Sequence, residues 1–278
     1  MTTTTLTTAR LKVTGLPRTP APFGLFSAVT FRETVDPHWQ AGGIEWEHLP
    51  CRQLGLIGQP DCWSDSTGTR GLPKDFSDSG PDGSTADPFT VFAPWECSPV
   101  GYSPKDARQH ATSLLLAGEQ YTVERALWAG DPAEPSLTNA VPVTGEVLSP
   151  LDGLAILEAA YAGQVGSVGV IHCSRWAATI LVKQADLVST GDRLVTALGT
   201  PVIAGSGYGL DDHHGRLVMT PPLFIYRSET FTSSNREGDL LDRATNDLYA
   251  IAERTYLIGW DDCPQALYVD IELETGDV

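Results

Sequence analysis

The sequence predicts an α+β fold: an extended arm, a long hairpin, a spine helix and an α/β unit closed by a strand pair. Three observations carry this. Residues 43–50 and 88–97 alternate apolar and polar side chains with a period of two, as half-buried strands do. Residues 103–130 form one long helical stretch with start and stop signals at its ends. Residues 150–221 interleave short helical and short strand patterns.

The first 32 residues hold Arg10, Lys12, Arg18 and Arg32 and no acid, a charge of +4. Taken from a net −17, that leaves −21 for the rest, so the two parts attract, within one chain or between copies. The Thr-rich first ten residues carry little that builds a core. From Leu11 onward Val13, Leu16, Phe23, Leu25, Phe26 and Val29 are apolar, while Pro17, Pro20 and Pro22 forbid a long helix. An extended arm docking its apolar residues onto other protein is expected.

In the first strand Ile44, Trp46 and His48 share one face. In the second, Phe89, Val91, Ala93, Trp95 and Cys97 face one way and Thr90, Phe92, Pro94 and Glu96 the other, with Pro94 marking an edge or a bulge. Residues 64–87 between them are rich in Ser, Asp, Gly and Pro, from which no core is expected. The two strands therefore read as arms of one long hairpin with a polar tip.

The helix that follows has Ser103 as N-cap, Pro104 at its first position and Asp106 as the acid of a capping box; Gly130 and Pro132 end it. Its length is roughly 40 Å. Two apolar stripes are expected, Ala107, Ala111, Leu114 and Tyr121 against Leu116, Val123 and Leu127, implying contacts on both sides. The α/β unit reads as helix 151–163, strand 168–172, helix 175–184, and strands 193–198, 201–204 and 217–220, with a further strand at 223–227. A mobile glycine loop, GSGYGLDDHHGR at 205–216, precedes strand 217–220. Two β-rich runs over 245–273, joined at Asp261-Asp262-Cys263-Pro264, read as a closing pair covered by the spine helix.

Composition excludes several classes. With 35 acidic against 18 basic residues the surface repels phosphate, so a general nucleic-acid binder is not expected. No apolar run is long enough for a membrane helix, and the first residues lack a charged-then-apolar export layout. Five Cys with no CxxC pair are read as reduced thiols in a cytosolic compartment.

No catalytic constellation emerges, and no enzyme activity, metal or cofactor is expected. GSGYGL puts Leu210 where a dinucleotide loop needs its third glycine. Asp211, Asp212, His213 and His214 are consecutive, so their side chains diverge, and no spaced partner completes a metal site. His172 and Cys173 are neighbours on one strand and point to opposite faces, so they make no dyad. Cys51, Cys62 and Cys97 match no zinc spacing, and Glu45 and Glu47 share a face with no acid–base partner.

The order of these elements resembles the major capsid protein fold of tailed bacteriophages, shared with encapsulin shells. The helix end Val123-Glu124-Arg125-Ala126-Leu127-Trp128 stands where the family's spine helix ends. LDGLAILEAAYAG followed by GVIHCSRWAATIL is similar to the axial-domain helix, strand and helix. LVTALGTPVIAGSGYG is similar to a recurrent Leu-Gly-x-Pro-Val-Val stretch, and Asn246–Trp260 with Ala266–Ile271 to the closing β-pair. The likeness covers about residues 25–275; the lack of a long helical N-terminal scaffolding segment is a departure from it.

The resemblance implies an arm (1–37), an extended hairpin loop (38–97), an axial domain (150–221), and a peripheral domain in two parts (98–149 and 222–278). It implies a shell of hexamers and pentamers in a virion capsid, assembled in the host cytoplasm. That shell encloses double-stranded DNA without sequence-specific binding and works with separate scaffolding, portal or decoration proteins. The alternatives are an encapsulin-type cargo shell, and a soluble enzyme around His213 and Cys173. It places Trp46, Phe92 and Trp95 against a neighbouring subunit, and Asp211, Asp212, His213 and His214 around the capsomer axis. Some family members link a hairpin Lys to a neighbour's Asn. Here Lys74 and Asn246 stand at those places, and a solvated Lys74 is the plain alternative.

Overall fold

The computed structural model describes residue 16 and residues 18–33, 36–49, 82–209, 213–233, 240–242 and 244–273. Its longest element is helix α3 (Pro104–Ala129), set by its caps. Ser103 Oγ accepts from the Asp106 N–H at 3.2 Å and Asp106 Oδ2 accepts from the Ser103 N–H at 2.9 Å, the reciprocal capping box. Gly130 ends the helix at φ 72°, a left-handed conformation that glycine adopts without penalty. One row, Ala107, Ala111, Leu115, Glu119, Val123 and Leu127, is buried throughout. Two apolar stripes do not form: Leu114, Leu116 and Tyr121 are exposed. Only the last three turns are enclosed more widely, and there the covered residues include Gln120 and Glu124.

α3 lies on a six-stranded sheet. Its strands are β1 (Thr30–Arg32), β4 (Phe89–Cys97), β11 (Phe224–Arg227), β12 (Phe231–Thr232), β13 (Leu241–Asp242) and β14 (Asp247–Gly259). β14 runs through the middle. β4 pairs antiparallel along one edge, from Leu248↔Cys97 to Tyr256↔Phe89. β11, β12 and β13 share the other edge, and β1 adds parallel to β11. Phe89, Val91, Ala93, Ala250, Ala252, Tyr256 and Ile258 pack beneath α3.

The long hairpin differs from its sequence reading. β2 (Ile44–His48) pairs with β3 (Asp82–Ala86), inside the stretch read as polar tip, and not with β4. Small residues make this possible. Ser84 is buried and its Oγ accepts from the Asp262 N–H at 3.1 Å, and Ala86 joins a cluster with Trp39, Phe224 and Leu257. Trp39 belongs to the short helix α2 (Trp39–Gly42). β4 is an edge strand, which accommodates Pro94.

The second sheet has seven strands, ordered β5 (Val141–Leu148), β15 (Leu267–Ile271), β10 (Arg216–Thr220), β6 (Val170–Ser174), β9 (Pro201–Gly205), β8 (Arg193–Val195) and β7 (Val188–Thr190). Helices α4 (Pro150–Val165) and α5 (Arg175–Gln184) cover one face, burying Leu154, Leu157, Leu181, Ile171, Cys173 and Val269. Val170, Ile203 and Val218 join the core under α3, so β6 is buried on both faces. The expected closing pair is not a pair, because β14 and β15 lie in different sheets. Val269 and Ile271 find cover under α4, where Gly153 leaves room for Ile271. β5 and β15 thus belong to the sheet of the unit read as 150–221.

The arm holds one helical turn, α1 (Leu25–Ala28), and then β1. Leu25 and Val29 are buried in the main core. Cys97 and Cys173 are free thiols, whereas Cys263 is disulfide-bonded, which corrects the reading of five reduced thiols. Among the described residues no helix is long and apolar enough to cross a membrane.

Candidate functional site

The arm, α3 and the seven-stranded sheet meet at one buried joint. At its centre stands Glu124, with no exposed surface. Its Oε1 accepts from the Leu25 N–H of the arm at 2.9 Å. Its Oε2 accepts from the Gly207 N–H at 3.0 Å. Burial pushes its pKa up, opposed by these N–H donors and by the charge of Arg175.

Further bonds hold the arm in the same cleft. Gln120 Nε2 donates to the Ala21 carbonyl at 3.1 Å and Arg175 Nη1 to the Pro22 carbonyl at 2.8 Å. The Ala204 N–H donates to the Phe23 carbonyl at 2.8 Å, and Arg193 Nε to that of Ser27 at 3.2 Å. Phe23 itself has φ 61°, uncommon for a bulky side chain and held there by these contacts.

The loop 205–209 is not mobile at this end. A Cβ on Gly207 would lie 2.5 Å from the Tyr121 carbonyl and 2.6 Å from the Arg125 nitrogen, so the glycine serves close approach to α3. Tyr208 is buried, stacked on Trp128 at 5.3 Å between ring centroids. His172 Nε2 lies 3.0 Å from Thr220 Oγ1, whose own proton goes to the Pro221 carbonyl at 2.9 Å. Thr220 therefore accepts from Nε2–H, which leaves Nδ1 to accept from the Tyr208 hydroxyl at 3.1 Å. Burial pushes His172 down to about 3 and Cys173 up to about 12. Both groups are neutral and enclosed, on opposite faces of β6. One helical turn before Glu124, Glu119 Oε2 accepts from Arg254 Nη1 at 2.7 Å and from the Tyr256 hydroxyl at 2.6 Å.

The residues singled out from the sequence lie apart from this joint. Trp46 Nε1 donates to Asp261 Oδ1 at 3.0 Å and its ring meets Phe224 edge-on at 4.9 Å. Trp95 stacks on His110 at 4.6 Å. Two of the three aromatic side chains thus find partners within the chain. Phe92 is 62% exposed, with Phe231, Tyr249 and Ile251 also exposed. Strand alternation and the Phe231↔Glu253 and Phe92↔Glu253 registers put these four on the sheet face away from α3. Asp211, Asp212 and Lys74 lie outside the described residues. His213 is exposed; His214 faces Trp176 at 5.6 Å, and its carbonyl accepts from Ser174 Oγ at 2.7 Å. Asn246 is exposed in the turn before β14, at φ 55°.

Sequence reasoning missed Glu124, Gln120 and Gly207. The signal was present. Glu124 is an acid among Val123, Ala126, Leu127 and Trp128, with no base three or four residues away on the helix.

Two sheets, one long helix packed on both and an arm wedged between helix and sheet make up the fold. No family model and no curated protein matches the chain. Solved structures do, end to end. A structure from Microbacterium phage Oxtober96 is 12% identical, with TM-score 0.59 and 96% of each chain covered. The capsid of a native GTA particle is 10% identical, with TM-score 0.60 and coverage of 96% of this chain and 95% of that one. The holo-SrpI encapsulin complex from Synechococcus elongatus is 11% identical, with TM-score 0.53 and coverage of 98% and 95%. The chain has the capsid fold of tailed phages, which encapsulins share.

Proposed function

We propose that this chain is a major capsid protein that self-assembles into an icosahedral shell around double-stranded DNA. The carrying observation is the end-to-end match to the GTA capsid, which covers nearly the whole of both chains. The apolar sheet face of Phe92, Phe231, Tyr249 and Ile251 supports it: a patch of this kind is buried between copies of a shell subunit. In this reading the arm is residues 1–37, the extended loop lies within 38–97, and the axial and peripheral regions follow the two sheets. Phe92 and its neighbours meet another subunit, and the loop 211–214 approaches the capsomer axis. There the charges of Asp211 and Asp212 repel across copies, and the imidazoles of His213 and His214 stand beside them to offset that repulsion. A Lys74–Asn246 link between subunits belongs to the same reading.

Electron microscopy of the expressed protein tests it. Closed shells support the reading, and a monodisperse monomer refutes it. Nucleic-acid content of shells from the native source separates a genome container from the encapsulin-type alternative that the SrpI match favours. Ladders on denaturing gels report the cross-link. An unchanged dissociation pH in the His213→Ala/His214→Ala protein removes the axis role.

A further inference from the structure

A charged carboxylate buried without a bonded cation is costly, and chains keep one where it holds something. Glu124 has no exposed surface, and Arg175, the cation nearest in effect, spends its Nη1 hydrogen bonds on the Pro22 and Ala204 carbonyls. The donors Glu124 does have are backbone N–H groups from two segments far apart in sequence, those of Leu25 and Gly207. Neither segment is otherwise part of α3. The arm lies between the helix and the sheet, bonded to Gln120 on one side and to Ala204 and Arg175 on the other. Gly24 and Gly207 both come so close to α3 that a methyl group would strike Glu124. The carboxylate is therefore shared, and its solvation requires both segments to move.

We propose that Glu124 is a latch that couples the arm to the seven-stranded sheet through the spine helix, so that residues 21–28 and 205–209 leave the helix as one unit. Opening lets the carboxylate reach water. Closing buries it again, and each segment's hold depends on the other, because bonds through one shared group do not add independently.

The sign of the pH effect follows. Burial raises the pKa of Glu124 in the closed joint above its value in the opened, solvated one. The closed joint takes up a proton first, so acid tightens it, and opening increases as pH rises through the closed-state pKa. The groups facing Glu124 are Arg175 on α5, which favours its charged form, and Tyr208 in the loop, which stays neutral. Glu119 on its own helix is already paired with Arg254. The arm over 21–28 carries no titratable side chain. His172, bonded to Tyr208, titrates in the opposite sense, because burial lowers its pKa.

Hydrogen exchange on the unassembled full chain, read by mass spectrometry as protection factors, tests the coupling without reference to shells. Peptides covering 21–28 and 204–209 are expected to lose protection by the same factor between pH 5 and pH 8, up to about tenfold per unit of pKa difference. The trend is expected to persist in His172→Gln. Glu124→Gln places an amide NH2 against an N–H donor. It is expected to lower protection of both peptides about tenfold or more at pH 7 and to flatten the pH trend, with 170–174 still protected. Gln120→Ala removes one arm contact and leaves the titrating group. Both peptides again lose protection equally, and the pH trend stays. A response confined to one segment, in either variant or in the wild-type pH series, overturns the proposal, as does a pH trend that survives Glu124→Gln. The wild-type series and Gln120→Ala decide the matter if Glu124→Gln does not fold.

Discussion

Replacing Gly207 by Ala adds one methyl group at the tightest point of the joint. The new carbon would sit 2.5 Å from the Tyr121 carbonyl oxygen, 2.6 Å from the Arg125 nitrogen and 2.9 Å from Glu124 Cβ. Two of these are helix backbone and cannot rotate away, so the loop must retreat. Retreat stretches the 3.0 Å bond from the Gly207 N–H to Glu124 and disturbs Tyr208 on Trp128. Forced overpacking costs ~1–3 kcal/mol. Loss of a hydrogen bond to a buried charge adds ~1.5–3 kcal/mol. The expected destabilisation is about 2.5–6 kcal/mol, a Tm lower by roughly 5–20 °C in a chain of this size. Thermal unfolding of the unassembled protein by far-UV circular dichroism, at matched concentration, measures it. Gly145→Ala is the control, since nothing lies within 4 Å of a Cβ there. A Gly207→Ala protein within about 0.5 kcal/mol of wild type would show that the loop is free of the helix.

His172 makes stability fall with acid. The unfolded group protonates near pH 6.5 and the folded one only at about 3, so stability is lost as pH drops through that window, by up to about 1.4 kcal/mol per pH unit. Urea titrations of His172→Gln between pH 4 and 6.5 should lack this component. Glu119→Gln should cost about 3 kcal/mol in the same assay, because it strips the part-buried Arg254 of its anion. Trp46→Ala should cost about 3 kcal/mol through its contacts with Phe224 and Asp261. Phe92→Ser should leave stability within about 0.5 kcal/mol and, in the proposed shell, reduce assembly; full assembly of that variant would place the face in solvent.

The parts of the fold that were legible in the sequence are those governed by local rules. Ser103, Pro104, Asp106 and Gly130 marked the ends of α3 because caps are short-range chemistry. Helix 175–184 and strands β9, β10 and β11 followed from periodicity and turns. Pairing was not legible, because partners lie far apart in the chain. Residues 82–86 look like loop, yet they form a strand because Trp39, Trp46 and Phe224 need small neighbours. Leu114, Leu116 and Tyr121 look like members of two apolar stripes, yet none of them is covered among the described residues. The glycines of 205–209 suggested freedom where the helix demanded close approach. The joint escaped because its bonds are side chain to backbone, and any sequence supplies the backbone half.

The place of β15 sets an order of events in synthesis. It lies inside its sheet, between β5 and β10, and is the last described strand to leave the ribosome. Until it arrives, β5 has no partner and β10 shows a bare edge, while Gly153 on α4 covers nothing. A partly made chain can thus fold helix α3 against β4, yet it lacks the finished sheet on which one wall of the joint is built. That wall is finished only once β15 has been made. A truncated product would carry open strand edges that mark it for proteolysis, and it would be a poor substitute for the whole chain in any ordered array.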